Sequence, residues 1–105
     1  MNWESKENKK LLQAILALET PDEAKRFLRD LLTPQEILEF GKRWQAARML
    51  SRDVPYSQIE KETGLSSTTV ARVSRWLNQG MGGYKLMINR LVNDHHHSQA
   101  LTRRE

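Results

Sequence analysis

The 105-residue sequence contains no cysteine. That absence removes disulfides, thiolate zinc sites and cysteine nucleophiles from consideration, and it fits a reducing compartment. No apolar run approaches the ~20 residues needed to cross a bilayer, so no membrane partner is expected. The opening residues MNWESKENKK are polar and charged, and no apolar core of signal-peptide type follows them, which leads to the expectation of a cytoplasmic protein. Also missing are a glycine-rich phosphate loop, acids and histidines at metal-ligand spacing, and a nucleophile with a base in register. The chain therefore offers no catalytic residue, no metal site and no cofactor, and is expected not to be an enzyme. Adjacent residues on a polar tail do not converge on one ion, so the run His95-His96-His97 reads as solvated.

What is present is a modest excess of positive charge. The formal net charge is +4, with 9 Lys/Arg against 8 Asp/Glu in residues 1–50 and 8 against 5 in residues 51–105. The excess thus falls in the second half, where it permits a polyanionic partner without establishing one. The length suits one domain. Apolar spacing predicts six helices and no strand. The first runs from Ser5 to Glu19 with Leu11, Leu12, Ile15, Leu16 and Leu18. Thr20-Pro21-Asp22-Glu23 then reads as an N-cap, a proline at the first helical position and a capping-box acid. The second helix, Asp22 to Leu32, is expected to bury Ala24, Phe27, Leu28, Leu31 and Leu32. Thr33-Pro34-Gln35-Glu36 repeats the punctuation before a longer helix to about Ser51, with Ile37, Leu38, Phe40, Trp44, Ala47 and Leu50 as its apolar set. A glycine-rich break at residues 80–83 precedes a last helix carrying Tyr84, Met87, Ile88 and Leu91. Residues 1–92 read as one helical domain and 93–105 as a flexible polar tail.

The informative stretch is YSQIEKETGLSSTTVARVSRWL, Tyr56 to Leu77. It reads as two short helices hinged at Gly64, a residue free to adopt the positive φ that stops a helix abruptly. Ser57 is expected to cap the first helix with Glu60 completing the box, Ile59 to anchor it, Leu65 to plug the turn, and Ser66 or Ser67 to cap the second helix. Val70, Val73 and Leu77 share a buried stripe. The opposite face carries Thr68, Ala71, Arg72, Arg75 and Gln79, with Ser67 and Thr69 beside its N-terminus, and it contains no acid. Short hydroxyls and an alanine can approach base edges, while arginine reaches guanine or phosphate. A helix-turn-helix docks its second helix into the major groove in this way. The candidate DNA-contacting set is Ser57, Lys61, Ser66, Ser67, Thr68, Thr69, Ala71, Arg72 and Arg75. The first two helices and the last carry more apolar surface than one small chain can cover, which points to a homodimer with a shared core.

Two segments resemble the Trp-repressor-like family. LTPQEILEFGKRW is similar to the start of that family's long central helix, and the stretch from Tyr56 to Leu77 is similar to its helix-turn-helix. The similarity covers Leu32 to Leu77, with a one-residue deletion near Val54. It implies an all-α, six-helix, intertwined homodimer that binds a double-stranded DNA operator and regulates transcription, with repression favoured over activation. Ser67, Thr68 and Ala71 match short base-facing positions. Ser57 and Glu60 stand where the family has basic residues, so Lys61, Arg52 and Arg75 become the replacements. The resemblance also carries a ligand question. Arg43 and Arg72 match the two arginines that enclose tryptophan in the family's namesake, and Thr33 matches the threonine beside that pocket. Val73 replaces a glycine there, and Trp76 replaces a serine that helps hold the ligand. Valine fills space that glycine leaves open, so L-tryptophan is disfavoured as an effector. The candidate ligand positions are Thr33, Arg43, Arg72 and Trp76. For Arg43 an ion pair with Glu36 or Glu39 competes with that role. A helical protein-interaction module that keeps the helix-turn-helix as a scaffold is the alternative reading, favoured by Glu60 and the small net charge.

Overall fold

Six helices follow one another in a computed structural model that describes the backbone of residues 1–104 and the side chains of residues 1–93. They are α1 (Lys6–Ala17), α2 (Pro21–Leu31), α3 (Pro34–Ser51), α4 (Tyr56–Thr63), α5 (Ser67–Gln79) and α6 (Gly83–Arg104). Among the described residues there is no strand. The expectation of a flexible tail at 93–105, with its three histidines, falls outside the described side chains beyond Asn93. The chain divides into two units, residues 1–38 and residues 39–105.

The first unit is built on local punctuation. Ser5 Oγ accepts the Asn8 amide at 3.2 Å to start α1, and Thr20 Oγ1 accepts the Glu23 amide at 3.1 Å to start α2. The reciprocal bond from Glu23 runs to the Glu19 amide at 2.9 Å, one residue earlier than a standard box. Leu18 turns extended, so α1 ends at Ala17, short of the expected Glu19. Neither α1 nor α2 contains a buried residue. Of the five side chains expected to be buried in α2, Ala24, Phe27 and Leu32 are half-buried, and Leu28 and Leu31 are exposed. The apolar stripes are real, but two short helices have no partner layer within this unit to bury them against.

The second unit holds the core: Ala46, Ala47 and Met49 of α3, Ile59 of α4, Leu65 of the turn, and Val70 and Val73 of α5. Trp44, Leu50, Val54, Tyr84 and Ile88 pack against it. The buried side of α3 differs from the expected one, since Leu38 and Phe40 are 59% and 49% exposed while Ala46 and Met49 are inside. Apolar residues are scattered round this helix among charged ones without a dominant stripe, so periodicity alone could not choose its inner face, and two adjacent alanines let neighbouring helices approach closely.

Two turns fix how α4 and α5 are presented. At the end of α3, the Asp53 amide donates to Leu50 O at 3.1 Å and the Val54 amide to Met49 O at 3.1 Å. That is a Schellman closure with Asp53 in the left-handed region at φ 59°, and half-buried Val54 follows two residues after the helix ends. Pro55, extended at ψ 146°, is the N-cap of α4, and no side chain caps this helix. The expected Ser57–Glu60 box is therefore absent. Helix begins at Tyr56, two residues earlier than a Ser57 cap requires, and Ser57 lies inside the first turn, where its amide is no longer the one a box would satisfy. Gly64 closes α4 at φ 75°, with its amide on Glu60 O at 2.8 Å.

Candidate DNA interface

Val70 and Val73 are completely buried and Leu77 is nearly so. That register turns Ser67, Thr68, Ala71, Arg72, Arg75 and Gln79 of α5 outward, and all six are exposed. The helix start is built by hydroxyls. Ser66 Oγ accepts the Thr69 amide at 3.2 Å and donates to the Thr69 hydroxyl at 3.0 Å. Ser66 and half-buried Thr69 are thus engaged in capping, which leaves Ser67 and Thr68 as the short hydroxyls free for a partner. Of the two cap candidates in the sequence, Ser66 is the one used.

The turn below is equally specific. The Thr63 hydroxyl donates to Ile59 O at 2.7 Å and accepts the Leu65 amide at 3.2 Å, so a buried polar side chain is satisfied within the hinge. Leu65 is buried beneath it. On α4, Ser57 and Lys61 are both exposed and one turn apart, while Glu60 is half-buried. Arg52, at the end of α3, is exposed. Among the described residues, none of Arg52, Lys61, Arg72 and Arg75 is held in an ion pair. The exposed side of α5 is therefore uniformly non-acidic, with unneutralised cations around it.

Two of the four positions that the resemblance linked to a ligand, Thr33 and Arg43, are occupied with other work. Thr33 caps α3: its hydroxyl accepts the Glu36 amide at 3.2 Å, and its own amide donates to Glu36 Oε1 at 2.9 Å. The bond from the Thr33 amide, with the nearby Thr33 hydroxyl adding to it, holds the exposed Glu36 carboxyl below the ordinary carboxylate range. Arg43 faces Glu39, with Nε 3.4 Å from Oε1. That nitrogen is buried and makes no hydrogen bond, so the contact is an ion pair of poor geometry. Of the two acids that the sequence offered Arg43, Glu39 is the partner. Tyr84 stacks on Trp44 with ring centroids 6.2 Å apart and planes at 24°. Burial pushes the Tyr84 hydroxyl up, and the charge of Arg43 partly offsets it. Trp76 is 44% exposed, and Val73 is wholly buried.

Sequence reasoning did not find the Tyr84–Trp44 stack, which joins residues forty apart, nor an open groove of about 660 Å³ lined by Val54, Tyr56, Ser74, Leu77, Lys85 and Ile88. Among the described residues no cluster of acids and histidines could hold a metal, and no helix is long and apolar enough to cross a membrane.

Comparison with known proteins agrees with this geometry. The family model described as Trp repressor protein matches residues 6–92. The uncharacterized protein YerC of Bacillus subtilis strain 168 is 41% identical over 86 residues, covering 82% of this chain and 83% of that protein. A TrpR-like protein from Eubacterium eligens superposes with a TM-score of 0.82 at 39% identity, covering 85% of this chain and 92% of that one. A candidate Trp repressor from Staphylococcus aureus gives 0.81 at 35% identity, covering 87% and 94%. The six-helix fold thus has counterparts over most of the chain, the family match spans residues 6–92, and the chain belongs to the Trp repressor family of DNA-binding regulators.

Proposed function

We propose that this protein is a sequence-specific transcriptional regulator that binds a double-stranded DNA operator as a homodimer, acts in the cytoplasm as a repressor, and needs no tryptophan. The observation that carries the reading is the outer face of α5, where Ser67, Thr68, Ala71, Arg72 and Arg75 are exposed without an acid among them while Val70 and Val73 anchor the helix from behind. Lys61 and Ser57 on α4 supply contacts to the sugar-phosphate backbone. A gel shift with duplex DNA at two salt concentrations, followed by selection from a randomised duplex library, tests it. Weakening of binding with salt and recovery of a two-fold-symmetric site support the reading. No shift at low salt would overturn it.

The dimer rests on uncovered apolar surface. Leu11, Leu12, Ile15 and Leu16 of α1, Leu28 and Leu31 of α2, and Leu86, Met87, Leu91 and Val92 of α6 are all exposed. A second copy of the chain would cover such stripes, and its two-fold axis would set two recognition helices against two half-sites about one DNA turn apart. Light scattering during gel filtration gives the mass directly.

Independence from tryptophan follows from the state of α5 and α3. Val73 fills the core where the family's namesake has a glycine, Thr33 is committed to a cap, and Arg43 already faces a carboxylate. Titration calorimetry with L-tryptophan should give no stoichiometric heat. Glu60 and Glu62 on α4 favour one competing reading, a protein-interaction module. In that case the gel shift is empty and these acids face a basic partner.

A further inference from the structure

One cation near the hinge belongs to neither helix of the motif. Lys42 projects from α3, is exposed, and places Nζ 4.0 Å from the point where a Cβ on Gly64 would stand. Beyond Gly64 and its two neighbours in the chain, no other heavy atom of the described residues comes within 4 Å of that point. Gly64 is the left-handed residue that closes α4, and two residues further on Ser66 starts α5. The Lys42 ammonium is therefore parked over the hinge of the helix-turn-helix.

The acids that could neutralise it are otherwise placed. Glu39, one turn earlier on the same helix, is paired with Arg43, and Glu36 is held in the cap of α3. Among the described residues Lys42 is in no ion pair. A helix-turn-helix enters the groove with the N-terminus of its second helix while its first helix crosses the backbone, so the hinge between them passes close to phosphates at the groove's edge. An ammonium there meets a phosphate as a mobile point charge, contributing affinity without reading a base.

We propose that Lys42 is a phosphate ligand, a contact made by the central helix that fastens the hinge of the helix-turn-helix to the DNA backbone. The proposal rests on the DNA-binding reading given above. The competing explanation is structural: an ammonium near the C-terminal end of α4 interacts favourably with the helix dipole and serves only to hold α4.

Salt dependence separates the two. Each neutralised phosphate contributes roughly 0.9 to the slope of log affinity against log salt, so losing one contact in each of two protomers flattens the slope by about 1.8. Binding of the full-length protein to fluorescently labelled duplexes, measured by anisotropy across a sodium chloride series, should show that flattening for Lys42→Met on operator and unrelated DNA alike. Lys42→Arg should keep the wild-type slope, as should Lys85→Met, which removes an equal charge from α6. Thermal melting of each variant establishes that it is folded under the assay conditions, and Lys42→Gln serves if the methionine variant is not. A folded Lys42 variant with the wild-type slope overturns the proposal and leaves the DNA reading intact. A wild-type protein that binds no duplex overturns both.

Discussion

Arg75 stands on the exposed side of α5, about two and a half turns from the cap at Ser66 and free of any ion pair among the described residues. Replacing it with alanine should weaken DNA binding in one of two distinguishable ways. If the guanidinium meets phosphate, the salt slope falls by roughly 0.9 for each copy and every sequence is affected alike. If it reads a guanine, discrimination at one base pair falls by about 1–3 kcal/mol while the slope holds. Unchanged affinity would remove Arg75 from the interface. Asp53 makes a different kind of prediction. Its φ of 59° is tolerated by a short polar residue but not by a β-branched one, and Asp53→Val should cost about 1–2 kcal/mol, read as a lower melting temperature. Gly80 is constrained by contact instead. A Cβ there would lie 2.3 Å from the Trp76 carbonyl oxygen, so Gly80→Ala must displace the last turn of α5. The sequence showed why residues 80–83 should break the helix, but not that one carbonyl already occupies the place of a side chain.

At the scale of the helix, what could be read in advance is what depends on neighbours three or four residues away. The Thr33–Glu36 box, the Ser66 cap and the Gly64 stop all involve such partners, and all three are formed. The Ser57 box was misplaced because Pro55 lets helix begin at Tyr56, a boundary set by the geometry of the connector. The inner face of α3 was read only in part: Trp44, Ala47 and Leu50 meet the core, while Leu38 and Phe40 do not, because the choice depends on α4 and α5, which come later in the chain. The Thr33 box also carries a pH signature. The Glu36 carboxyl is lowered in the folded protein, so its contribution to stability is fully present above its unfolded value and is lost as pH falls through the folded one. The first turn of α3 should therefore loosen below the ordinary carboxylate range. The Thr33 amide resonance, followed by NMR down an acid titration, should move as the Glu36 carboxylate takes up its proton. In Glu36→Gln the acceptor oxygen remains and the titration step should vanish.

For the molecule as a whole, the mismatch between apolar content and buried surface is the main fact. Helix formation in α1 and α2 was legible from spacing, whereas their burial was not, because periodicity gives a stripe without saying what lies against it. Leu12, Ile15, Leu28 and Leu31 keep 37–48% of their surface in water, so covering the rest would add about 0.5–1.5 kcal/mol each, a drive toward the proposed dimer. Leu12→Glu combined with Ile15→Glu should shift the protein from twice the chain mass to once that mass in light scattering. DNA affinity should fall with it, since a monomer engages one half-site. A double variant that remains dimeric would exclude α1 from the contact.

Val70 and Val73 carry a further consequence for how such a dimer would meet its operator. Both are β-branched, with little rotational freedom at χ1, and both are sealed from water beneath the recognition helix. The reading head is thus locked in its socket before any duplex arrives, and it gives up little disorder on docking. A site of slightly wrong shape cannot be met by the protein re-angling its probe, so the strain passes to the double helix. Base steps that twist or bend easily would then be favoured even where no side chain touches them.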